Sequence, residues 1–171
     1  MKNGKLIALS AISTALGVVF LIIGAYFQTL DLSCLFMASL TVMLPLAKNS
    51  VKGAFLSYLA TAILGFLFAV NRFYLSLLFF MFFGLHPIIN YFQLKLGKKA
   101  WYLFIVKGVL FLGACYLMFY AFSMFVIENE IVLNILPVFI GVIGILFYIV
   151  YDFIMVTFQK RSSAIIKRLG L

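Results

Sequence analysis

Acidic residues are what this sequence most lacks. It has four aspartates and glutamates in 171 residues, against 13 lysines and arginines, and charged residues of both signs make up only 10%. With 67% hydrophobic residues and a mean hydropathy of +1.25, there is too little polar surface to cover a water-soluble globule. Cysteine is scarce too. Cys34 and Cys115 lie in separate apolar blocks with no ligand set near them, which argues against a disulfide framework and a zinc site, so no metal is expected.

Several motifs are also missing. There is no Gly-x-Ser-x-Gly elbow, no His-Glu-x-x-His pair and no paired intramembrane carboxylates, so the chain is not expected to be an enzyme, and no catalytic residue is assigned. Without a phosphate-cradling loop it needs no cofactor of its own and cannot hydrolyse ATP by the usual route. The basic residues are scattered between apolar blocks rather than gathered on one face, which argues against nucleic acid as a partner.

What the sequence does have is long apolar blocks. Backbone N–H and C=O groups cannot go unpaired in hydrocarbon, so spanning segments are helices or closed barrels, and long apolar blocks such as Ile131 to Phe158 lack the alternation of barrel strands. The predicted fold is all-α: a polytopic bundle of six transmembrane helices in a single domain, residues 1–171, whose partner is the lipid bilayer. The expected spans are Lys5 to Phe27, Leu32 to Leu46, Val51 to Val70, Tyr74 to Leu94, Ala100 to Ile127 and Ile131 to Gln159. The second, at roughly 22 Å, is too short to cross a core of about 30 Å unaided. No clear small-x-small cleavage site follows the first, so it is expected to be retained.

Placing the amino terminus in the cytoplasm puts Lys2, Lys5, Lys48, Lys52, Lys95, Lys98, Lys99, Lys160, Arg161, Lys167 and Arg168 inside and leaves Arg72 as the one outside base. This positive-inside pattern predicts a multi-pass cell-membrane protein with both termini cytoplasmic. Trp101 and Tyr102 then mark the inner interface, Tyr26 and Tyr74 the outer one. The basic segment after Gln159 is a short tail suited to the anionic inner leaflet.

Three groups of residues are candidates for function. Polar residues collect at the outer helix ends: Tyr26, Gln28, Asp31, Asn71, Arg72, Tyr74, Glu128, Asn129, Glu130 and Asn134. Among them Arg72 either pairs with Asp31 or offers its planar fork of donors to a small-molecule substrate. Within the membrane, Lys107 and Asp152 sit at matching depth on consecutive antiparallel helices. His86 and Asn90, one turn apart, lie at comparable depth beside Pro87, which favours a kink. That cluster is either structural glue or a proton relay. Finally, Ala8, Ser10, Ala11, Ser13, Thr14, Ala15 and Gly17 crowd the start of the first helix. There, Ala11 and Ala15 form a small-xxx-small step, suited to packing within the chain or to docking another protein.

The stretch Ala8-Leu-Ser-Ala11-Ile-Ser-Thr-Ala15, together with length and topology over the whole chain, resembles the substrate-binding S components of energy-coupling factor transporters. The resemblance implies a subunit for uptake of a small nutrient, a vitamin or precursor, captured near the outer surface. It also implies docking through Ala8, Ala11 and Ala15 onto a transmembrane coupling protein, with ATP used by partner ATPase subunits. A standalone, proton-coupled carrier and a structural or assembly subunit are the alternatives. The absence of an obvious repeat between the two three-helix halves disfavours the carrier.

Overall fold

A computed structural model describes the backbone of residues 2–126 and 130–168 and the side chains of residues 4–97, 100–121, 123 and 136–162. Among the described residues there is no strand, and six helical stretches are long and apolar enough to cross a membrane: Gly4–Tyr26, Gln28–Ala47, Val51–Phe68, Val70–Leu96, Trp101–Ala121 and Leu136–Ser162. Six crossings leave both chain ends at one end of the bundle, called here the terminal end.

The first span is one helix, α1 (Lys2–Tyr26). The second is longer than expected. It begins with a 3-10 turn at Gln28–Leu30, continues as α2 (Asp31–Thr41), passes through a turn at Val42 and finishes as α3 (Met43–Ala47). Asp31 falls just outside the expected span, which begins at Leu32. It instead opens α2, where an acid meets the positive end of the helix, and the span reaches 20 residues, about 30 Å at 1.5 Å per residue. α4 (Val51–Phe68) starts at an N-cap, the Ser50 side chain accepting from the amide of Gly53 at 3.2 Å.

The fourth span is broken. A 3-10 turn at Val70–Arg72 leads into α5 (Phe73–Leu78), a π-helical segment at Phe79–Phe83, and α6 (His86–Leu96). In the π segment the Gly84 amide reaches back to the carbonyl of Phe79 at 2.8 Å, which frees the Phe80 carbonyl, and the Tyr58 hydroxyl donates to it at 2.8 Å. Gly84 is needed here because a Cβ would collide with the Tyr58 ring. Pro87 has no N–H for the carbonyl of Phe83, and the Ser39 hydroxyl supplies a donor at 2.6 Å.

α7 (Trp101–Val126) and α8 (Glu130–Arg168) complete the bundle. α8 runs 39 residues, about 58 Å, so the basic tail continues the last helix rather than leaving it. The chain is apolar outside as well as inside. Val142, Ile145, Leu146, Ile149, Val150 and Phe153 are exposed on α8, while Gly144, Tyr148, Tyr151, Asp152, Met155 and Gln159 are buried on its other face.

Tight packing is concentrated where small residues meet. α4 buries Gly53, Ser57, Thr61 and Gly65 at four-residue spacing, and α1 lies against that stripe. A Cβ at Gly17 would come within 2.8 Å of the Thr61 methyl and 3.0 Å of the Thr41 hydroxyl. Ser13 donates to the Thr41 carbonyl at 2.6 Å and Ser57 to the Ser10 carbonyl at 3.0 Å, tying α1 to both neighbours. In the centre, the fully buried Phe82 ring touches His86, Phe111, Tyr148 and Tyr151, joining the broken span to α7 and α8.

Candidate functional site

Three elements deliver polar side chains to one buried position in the terminal half of the bundle. α6 contributes His86 and Asn90, one turn apart on the same face. α7 contributes Lys107, and α8 contributes Asp152 and, two turns on, Gln159. His86, Asn90 and Lys107 have no exposure, Asp152 is 6% exposed and Gln159 2%. Asp152 Oδ1 is the hub. The Lys107 ammonium donates to it, and His86 Nε2 lies 2.9 Å from it. Lys107 also donates to Asn90 Oδ1 at 3.1 Å, and Asn90 Nδ2 to Gln159 Oε1 at 2.9 Å. Gln159 Nε2 in turn donates to the carbonyl of Pro87 at 3.1 Å.

The chemistry of this arrangement follows from charge. An ammonium and a carboxylate in contact neutralise each other, and the Asn90 amide and the His86 imidazole add further hydrogen bonds to the pair. With Nε2 donating to the carboxylate, His86 Nδ1 is a buried acceptor that meets no donor among the described residues. Tyr151, beside Asp152, joins the Ser39 hydroxyl at 3.0 Å. Since Ser39 spends its one proton on the Phe83 carbonyl, Tyr151 is the donor. The network therefore holds the break in the fourth span to α2 on one side and to α8 on the other.

A second polar group sits at the opposite end. Arg72 Nη1 is 2.9 Å from Asp31 Oδ2 and 3.2 Å from Oδ1, and it also donates to the Tyr74 hydroxyl at 3.1 Å. Tyr74 donates to Asp31 Oδ2 at 2.7 Å. Of the two roles open to Arg72, the structure displays the ion pair. Asn71 donates to the Ala25 carbonyl at 3.0 Å, fastening the third connection to the end of α1. Tyr26 and Gln28 are exposed at this end. Glu128 and Asn129 lie outside the described residues, as do the side chains of Glu130 and Asn134.

The third group resolves by orientation. Ala8, Ala11 and Ala15 are all exposed, whereas Ser13, Gly17, Val18 and Leu21 form the buried face of α1. The small residues that bring α1 against its own chain are therefore Ser13 and Gly17, not the alanines. Beside the alanine face, a groove of about 580 Å³ runs between α1 and α4, lined by Ile7, Ser10, Ala11, Thr14, Gly53 and Leu56 among others.

Sequence reasoning did not single out Ser39, Tyr151 or Gln159. Gln159 was legible in principle, because it falls seven residues after Asp152 and so on the same helix face. Ser39 and Tyr151 carry no such signal, since their roles depend on which carbonyl Pro87 leaves open. Comparison with known proteins adds nothing to these geometries: no family model matches the chain, and neither curated proteins nor solved structures include a match.

Proposed function

We propose that this chain is a membrane-embedded binding subunit for uptake of a small nutrient, a vitamin or precursor, and that it acts through an ATP-driven partner. The observation that carries the reading is the outward orientation of Ala8, Ala11 and Ala15. A small-xxx-small step lowers the distance at which another helix can approach, and this one is not used inside the chain. A transmembrane coupling protein bound to two ATPase subunits is the partner that the resemblance to energy-coupling factor S components implies. The groove between α1 and α4 extends the same face.

On this reading the end bearing Asp31, Arg72 and Tyr74 faces outside and receives the solute, with both termini in the cytoplasm. The triad's hydrogen-bonded ring presents a guanidinium already oriented by a carboxylate, suited to a solute with an anionic or carbonyl group. The Lys107–Asp152–His86 network serves as the fixed joint of the broken fourth span. Its charges are matched within the chain, which favours a structural role over proton transfer.

The test is purification of the tagged subunit from its native membrane in mild detergent, with mass spectrometry of copurifying proteins and retained metabolites. The reading predicts an ATPase pair, a membrane coupling protein and a bound metabolite. A ligand-free subunit without ATPases contradicts it in favour of a standalone carrier or assembly subunit.

A further inference from the structure

A cavity of about 790 Å³ opens at the terminal end of the bundle, lined by Asn49, Tyr91, Leu94, Lys95, Gln159 and Lys160. It lies among the connection between the second and third spans, the end of α6 and the last apolar turn of α8. Lys95 and Lys160 are both exposed, and the Tyr91 hydroxyl donates to Asn49 Oδ1 at 3.0 Å across one wall. Among its lining residues there is no carboxylate.

Neither acid whose side chain is described serves these lysines. Of the four acids, Asp31 is paired with Arg72 at the opposite end, and Asp152 is buried against Lys107 and His86. Glu128 and the side chain of Glu130 lie outside the described residues. Two ammonium groups lining one concavity, with amide and hydroxyl groups beside them and no counter-ion among the described residues, suit an anion from outside.

We infer that this cavity is a binding site for a phosphate-bearing anion, and that its occupant is the phosphodiester headgroup of an anionic membrane lipid. The position favours the lipid over a soluble phosphate. Lys95 and Lys160 stand at the ends of membrane-spanning stretches that finish at Leu96 and Ser162, so the cavity opens at headgroup level. Leu94 gives it an apolar side, and the exposed Phe92 and Phe158 lie on the flanking helices, where acyl chains run. The inference does not depend on the uptake reading, because any function of the chain leaves these charges in place.

The experiment is titration of the purified full-length protein in nanodiscs or detergent with phosphatidylglycerol and with phosphatidylcholine of the same acyl chains, read by native mass spectrometry. A parallel titration uses inorganic phosphate. Lys95→Gln with Lys160→Gln is compared with Lys5→Gln with Lys52→Gln, which removes the same charge from the same end outside the cavity. Each lysine near an anionic headgroup contributes roughly a factor of five, so the cavity variant is expected to lose about 30-fold in phosphatidylglycerol affinity. The control pair is expected to lose far less, with phosphatidylcholine binding unchanged in both. Equal losses in the two variants would overturn the site in favour of a diffuse basic surface. Inorganic phosphate binding as tightly as the lipid would overturn the lipid assignment.

Discussion

Ser39 donates to the carbonyl of Phe83, the acceptor that Pro87 leaves without a backbone donor four residues later. A hydroxyl on the second span thus completes the hydrogen bonding of the fourth. Tyr151 on α8 braces that hydroxyl. Ser39→Ala removes the donor for one buried carbonyl and the acceptor for one buried phenol. The expected cost is about 1–3 kcal/mol, measured by denaturant unfolding in mixed micelles. Ser39→Thr, which keeps the hydroxyl, is expected to recover most of it.

Lys107→Met leaves the Asp152 carboxylate buried with His86 and is expected to destabilise by about 3–5 kcal/mol, because an uncompensated charge costs more than a lost contact. Asp152→Leu strands the ammonium in the same way. The double variant removes both charges and is expected to be more stable than either single one. A double variant as unstable as the sum of the two would show that the charges do not act as a pair.

Gly17→Leu places a side chain where even a Cβ meets the Thr61 methyl at 2.8 Å. Since α1 and α4 approach each other across that point, the variant is expected to lose monodisperse folding, judged by size-exclusion chromatography. Ala15→Leu, two residues away on the exposed face, is expected to elute as the parent does.

Arg72 and Asp31 are only 16% and 21% exposed in their side chains. Even so, the pair lies at a helix end near solvent, where such bridges contribute about 1 kcal/mol or less. Arg72→Ala is therefore expected to change unfolding stability little while lowering the amount of metabolite retained through purification. Unchanged retention would remove Arg72 from the solute site.

The bundle was legible because hydrocarbon demands paired backbone and long apolar blocks, and those blocks are plain in the sequence. Helix orientation was not legible from hydrophobicity, since lipid and protein core are equally apolar; Val142 and Tyr148 look alike until one is seen exposed and the other buried. Polar and small residues carry that information instead. Lys107, Asp152, His86 and Asn90 stood out because each is costly in lipid, and the structure brings them together. The π segment at Phe79–Phe83 has no local signature: it depends on Tyr58, some 20 residues earlier, accepting the role of donor to Phe80. The alanine step was visible, but which face of α1 met the chain depended on Gly17 and Ser13 fitting α2 and α4.

The central claim is that α1 docks an ATP-driven partner through its exposed alanines, and copurification of Ala11→Trp and Ala15→Trp variants tests it most directly. The account predicts that the ATPase pair recovered with the parent subunit is lost from both variants, while each stays monodisperse and retains its metabolite. ATPases recovered in equal amount with the variants, or none recovered with the parent, would contradict it.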